Sequence, residues 1–158
     1  MEYNSYYDGL SEAELYQDRW LIVAAELLWF CESRNADYIR YSQLKKRSNE
    51  VLNTVTKGES SDFGGSFNTI IYSRKNERFW HVYKISKNET RILPNILKIQ
   101  NELRRRKAEN LDSKNKRILR IINRVDTVHA KRSIVESLSL SAGAEVRVKR
   151  ANPDERSN

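Results

Sequence analysis

The chain has 158 residues, of which 39% are apolar and 32% charged, with a net charge of +8. Those figures predict one domain with a modest core and some chain outside it. A single cysteine excludes an intramolecular disulfide, and the longest apolar stretch, Trp20 to Phe30, is broken by Glu26 and too short to span a bilayer.

Cys31 ends the run Leu27-Leu28-Trp29-Phe30-Cys31 and reads as a buried, inert thiol suited to a reducing compartment. The polar, acidic start Met1-Glu2-Tyr3-Asn4 does not read as a signal peptide. The expected location is therefore cytoplasmic, nucleoid-associated in a bacterium. The charge is uneven. Up to Ser60 there are seven Lys/Arg against ten Asp/Glu, and from Ser61 onward twenty-two against eleven. A basic portion of that size calls for a polyanion, and nucleic acid is the commonest one.

In chain order, residues 1–10 form a leader whose Tyr3, Tyr6 and Tyr7 can pack on other elements. Ser11 and Glu14 make a capping box that opens a helix expected to run to about Ser33, apolar nearly all round at its centre. Asp37-Tyr38-Ile39-Arg40-Tyr41 alternates like a short strand. Ser42 is the expected cap of a helix from Gln43 to about Val55, with Leu44, Val51, Leu52 and Val55 inward. Lys57 to Gly65 is a loop. Ser66 is the expected cap of a third helix, with Phe67, Ile70 and Ile71 inward and Arg74, Lys75 and Arg78 towards its far end. Phe79 to Ile85 reads as a strand, Ser86 to Glu89 as a turn, and Thr90 to Leu93 as the returning strand, ended by Pro94. Asn95 caps a helix to about Leu111, with Ile96, Ile99, Leu103 and Lys107 on one face. Asp112 or Ser113 caps another, with Ile118, Ile121, Ile122, Val125 and Val128 as its apolar face. The fold class is mainly α with a small β-hairpin.

Helix, short strand, helix, helix and two-stranded wing is the order of a winged helix. Tyr38-Ile39-Arg40-Tyr41-Ser42-Gln43-Leu44, with the turn Gly64-Gly65 before the third helix, resembles winged-helix modules similar to the DNA-binding domain of alkylguanine alkyltransferases. The resemblance covers Ser11 to Pro94. It implies a winged-helix-like domain over residues 11–94, after a leader (1–10) and before a basic helical extension (95–141) and a flexible tail (142–158). The alkyltransferases' Pro-Cys-His-Arg active-site motif is missing, and Cys31 stands in Phe30-Cys31-Glu32, so the resemblance implies no alkyl transfer.

In a winged helix the third helix enters the major groove. That assigns groove contacts to Ser66, Asn68, Thr69 and Ser73, and phosphate contacts to Arg74, Lys75 and Lys87, while Lys45 and Lys46, early on the second helix, are counted with the nucleic-acid-binding residues. Two further basic clusters fit a polyanion: the run Arg104-Arg105-Arg106-Lys107, and the stripe Arg117, Arg120, Arg124 and Lys131. A bland reading stands beside the run, because cations late in a helix offset its dipole and Glu102 and Glu109 lie close by. The two histidines, His81 and His129, have no metal-ligand spacing around them, and no phosphate loop or nucleophile elbow is present. The expectation is a non-enzymatic DNA-binding protein, regulatory or architectural, with no cofactor or metal, no membrane partner, and a homodimer through Ile118, Ile121, Ile122, Val125 and Val128. The alternative is an assembly or interaction factor, of phage, mobile-element or RNA-associated type, that binds an acidic partner and docks through Tyr3, Tyr6, Tyr7 and Asp8.

Overall fold

The computed structural model describes residues 2–59 and 62–124. The chain divides into two compact units, Met1–Lys107 and Ala108–Asn158. The first unit is built around α2 (Trp20–Ser33), which buries ten residues from Trp20 to Cys31. Before it comes the short α1 (Glu12–Gln17), opened by the expected capping box of Ser11 and Glu14. One helix was expected over this stretch, and two are found. Asp18 leaves the helical conformation (φ −122°, ψ 85°), and no glycine or proline marks the break. The break turns the Asp18 carboxylate to Arg106 and sets Trp20 against Phe79 and Trp80, with ring centroids 5.1 and 6.3 Å away. Tertiary bonding here overrides a pattern that local propensity would carry through.

The leader folds onto α2. Asn4 is buried and donates to the Ala25 carbonyl and to Glu26, both at 3.1 Å. Tyr7 donates to Glu26 at 2.6 Å, and Tyr6 donates to Glu32. Glu26, only 4% exposed in the middle of the core helix, also accepts from Arg47 at 3.1 Å. A buried carboxylate costs several kcal/mol unless it is paired and hydrogen-bonded, and these three donors meet that cost. Tyr6 and Tyr7, expected as docking residues in the alternative reading, are thus engaged inside the molecule.

β1 (Ile39–Arg40) runs directly into α3 (Tyr41–Val55). Ser42 is not the cap: Arg40 holds that position without a side-chain bond, and Ser42 is an exposed residue of the first turn. Leu44, Ser48, Val51 and Leu52 form the buried stripe of α3, at the spacing of one helix face. The next loop is tied to α3 by Asn49, whose Oδ1 accepts from the Phe63 amide at 2.9 Å. Gly64 then takes φ +57°, where side chains are strained, and caps α4 (Gly65–Tyr72). Ser66, expected as that cap, lies within the helix and donates to the Phe63 carbonyl at 2.6 Å. The far end of α4 is closed from outside: Asn76 Nδ2 donates to Ile70 O at 2.8 Å, and the Trp80 indole donates to Ile71 O at 3.0 Å.

β2 (Trp80–Ser86) and β3 (Glu89–Pro94) form the expected hairpin, with an irregularity between Lys84 and Ser86. β1 adds to the free side of β3, pairing Ile39 with Ile92 and Arg40 with Arg91, so the sheet is antiparallel in the order β1-β3-β2. Ile39, Val82 and Ile92 share its inner face, and Ile39 and Ile92 are fully buried. The protein is thus mainly α with a small antiparallel sheet. α5 (Ile96–Asn123) follows, with Asn95 Oδ1 accepting from the Lys98 amide at 3.2 Å. Ile99 and Leu103 are buried as expected, but Ile96 is 40% exposed. Two helices were expected from Asn95 onward. One continuous helix is found, because no glycine or proline interrupts residues 96–123 and Asp112 pairs along the helix with Lys116 at 3.2 Å instead of capping. Among the described residues no helix is long and apolar enough to cross a membrane.

Candidate nucleic-acid interface

α4 exposes Asn68, Thr69 and Tyr72 on one side while Phe67 and Ile71 are buried on the other. Asn68 is held in place: the Tyr41 hydroxyl donates to its Oδ1 at 3.0 Å. With its oxygen occupied, Asn68 keeps both amide protons for another acceptor. Tyr41 itself is fixed edge-on against Phe67 with centroids 5.1 Å apart, and lies 6.4 Å from the Tyr72 ring. Burial and then the neighbouring Tyr72 raise the Tyr41 hydroxyl above its ordinary range, so it stays a protonated donor. Thr69 donates to the Gly65 carbonyl at 3.2 Å and keeps its lone pairs outward.

Beside α4, one side of α3 forms a shallow groove lined by Tyr41, Ser42, Lys45, Lys46, Asn49, Glu50 and Asn53. Lys46 is exposed and Lys45 half-buried, and neither makes an ion pair with another described residue. Arg74 and Lys75 do not extend α4 as expected. They lie on a 3-10 turn, Arg74–Asn76, capped by Ser73, whose Oγ accepts from the Lys75 amide at 3.3 Å. Both cations are exposed and without an ion pair among the described residues, as is Lys87 in the β2–β3 turn.

The structure therefore divides the expected groove residues. Asn68 and Thr69 are exposed together, whereas Ser66 and Ser73 are half-buried and bonded internally, Ser66 also accepting from Arg19 at 3.4 Å. Tyr41, Tyr72 and Asn49 belong to the same surface and were not singled out from sequence. The signal for Tyr72 was present, since it stands four and three residues beyond Asn68 and Thr69.

The run Arg104 to Lys107 is divided too. Glu102, 8% exposed, accepts from Arg105 at 3.0 and 2.7 Å and from Arg106 at 2.8 Å. The hydrogen bonds from Arg105, then Arg106, hold its carboxyl down to about 2 against the opposing effect of burial. Arg106 also donates to Asp18 at 2.6 Å and lies 4.0 Å over the Trp20 ring. It is a structural clip and not a free phosphate contact. Lys107 is half-buried, and burial lowers its ammonium while Asp8 opposes that shift. Arg104 remains exposed, donating only to Asn101 at 2.9 Å.

In the second unit Arg117, Arg120 and Arg124 are exposed and make no ion pair with another described residue. Lys131 of that stripe, and Val125 and Val128 of the apolar face, lie outside the described residues. Ile118 and Ile121 are 37% and 55% exposed. His81 is exposed on β2, 6.3 Å from the Tyr83 ring. Cys31 is buried as expected, and burial pushes its thiol up to about 11. Among the described residues no group of three His, Cys, Asp or Glu is placed to hold a metal ion. No family model matches the chain, nor does any curated protein or solved structure.

Proposed function

We propose that the protein binds duplex DNA without catalysis, in a regulatory or architectural role, with a winged-helix arrangement in its first unit. The observation that carries this reading is the exposed polar side of α4, where Asn68 is held by Tyr41, together with Lys45, Lys46, Arg74 and Lys75, which make no ion pair with another described residue. The element order supports it: α2, β1, α3 and α4 precede a β2–β3 hairpin whose sheet is closed by β1. In that arrangement α4 is the helix offered to the major groove, and the Nδ2 of Asn68 suits the acceptor edge of a base. Lys45, Lys46, Arg74, Lys75 and Lys87 supply the sequence-independent attraction to phosphates. Cys31, a buried thiol, suits an intracellular setting. The test is a gel-shift titration with duplex DNA, single-stranded DNA and RNA of the same sequence. The duplex is expected to bind most tightly, and a joint Lys45→Ala and Lys46→Ala change to weaken binding on every sequence. Preference for RNA, or indifference to the two lysines, would contradict the reading.

A further inference from the structure

The second unit carries exposed aliphatic side chains on α5, with Ile122 half-buried beside them. On α5, Leu111, Ile118, Leu119 and Ile121 are 60%, 37%, 57% and 55% exposed. Leu111, Asn115, Ile118 and Ile122 follow one another at steps of four, three and four, so they fall on a single line along the helix. At about 100° per residue, Lys116, Arg117, Arg120 and Arg124 fall on the opposite side. The same four-three spacing continues in sequence to Val125 and His129.

We propose that this line is the seam of a parallel, two-stranded coiled coil formed with a second copy of the chain. Three observations select that occupant. First, the seam repeats every seven residues with Leu111 and Ile118 in one class of position and Asn115 and Ile122 in the other, and such a seam is complementary to itself. Second, Asn115 alone is polar among the four seam residues Leu111, Asn115, Ile118 and Ile122. An asparagine at that class of position pairs with its own copy across the seam and fixes two strands in one register, at some cost in stability. Third, one flank pair is complementary in charge in the parallel arrangement, the next being Lys114 with Leu119. Lys107 stands on one flank and Asp112 on the other, five residues on, so Lys107 of one copy meets Asp112 of the second copy. Antiparallel strands would set lysine flank against lysine flank. An acidic helix from another protein would be drawn to the arginine side and leave the aliphatic line uncovered. Ile121 moves from the seam, where the spacing alone had put it, to its flank. The arginine side stays open in the dimer, and the inference stands whether or not the protein binds DNA.

The experiment is sedimentation equilibrium of the full chain, free of nucleic acid, at about 1–100 µM. A reversible monomer–dimer equilibrium is expected, weakened about 100-fold or more by Ile118→Glu. Asn115→Leu is expected to tighten association and admit assemblies larger than two. In a Cys31→Ser background, oxidised Leu111→Cys is expected to give a disulfide-linked dimer, since parallel in-register strands bring position 111 to its copy, whereas antiparallel strands centred on the seam hold the two apart. Near-ultraviolet circular dichroism, to which the buried Trp20 and Trp80 contribute, tells a lost partner from a lost fold, and Ile122→Glu repeats the test at a neighbouring seam position. A monomer across the whole range, a dimer untouched by both glutamate variants, or a dimer that gives no cross-link would overturn the proposal.

Discussion

Replacing Arg106 with alanine is expected to unfold the protein more readily, while the same change at Arg104 is not, although the two stand in one basic run. The structure gives the magnitude. Arg106 lies 4.0 Å over the Trp20 ring, a contact worth about 1–2 kcal/mol when partly desolvated. It also bonds Glu102 at 2.8 Å and Asp18 at 2.6 Å. Glu102 keeps Arg105 in the variant, and Asp18 is partly open to water, so each lost bond is worth about 1 kcal/mol rather than the full cost of a stranded charge. The expected loss is about 3 kcal/mol, on the order of 10–20 °C in Tm for a unit of this size. Among the described residues Arg104 bonds only Asn101, and it is exposed, so Arg104→Ala should change stability by less than about 0.5 kcal/mol. Urea unfolding followed by tryptophan fluorescence reads both, since Trp20 and Trp80 are core residues. Equal midpoints for the two variants would refute the division of the run into a clip and a free cation.

Asn68→Ala and Tyr41→Phe should both change which duplex sequences are preferred in a selection assay, while the salt dependence of binding stays as it was, because neither alters a charge. Stability should fall with acid: the Glu102 carboxyl is held at about 2, below the ordinary 4.5, so its contribution is complete above about pH 5 and is lost as pH falls towards 2. That loss is about 2–3 kcal/mol, allowing for solvent screening of the half-exposed Arg105, and Glu102→Gln should remove this part of the pH dependence in urea midpoints taken between pH 2 and 6. Cys31, buried and with its thiol raised to about 11, should react with a thiol reagent at neutral pH only at the rate of unfolding, so that labelling accelerates in urea in step with the fluorescence change.

The elements that sequence reading placed well are those whose signal is local. The Ser11–Glu14 capping box, the buried stripe of α3 and the hairpin ended by Pro94 each announce themselves within a few residues. The failures share a cause, which is bonding to residues far along the chain. The helix break at Asp18 depends on Arg106, eighty-eight positions away, and on Trp20 meeting Phe79 and Trp80. The expected end of a helix near Leu111 rested on Asp112 and Ser113 as cap residues, yet the same residue types sit inside a helix when nothing stops the ladder before them. The basic run shows the limit most clearly for the site. Four adjacent cations look alike in sequence, and only the positions of Glu102, Asp18 and Trp20 separate the structural Arg106 from the free Arg104. Asn68 and Thr69 were legible as an exposed helical pair, whereas the Tyr41 bond that orients Asn68 joins two helices and leaves no mark in either.

The most direct test of duplex binding is the affinity of the unmodified chain for one duplex, measured by fluorescence anisotropy across about 50–200 mM salt. Each phosphate neutralised contributes about −0.9 to the slope of log affinity against log salt. With Lys45, Lys46, Arg74, Lys75 and Lys87 making no ion pair among the described residues, a slope of about −3 to −5 is expected, its magnitude falling by about 1 for each of these cations replaced by alanine. A slope near zero, or no binding at the lowest salt, would contradict the account.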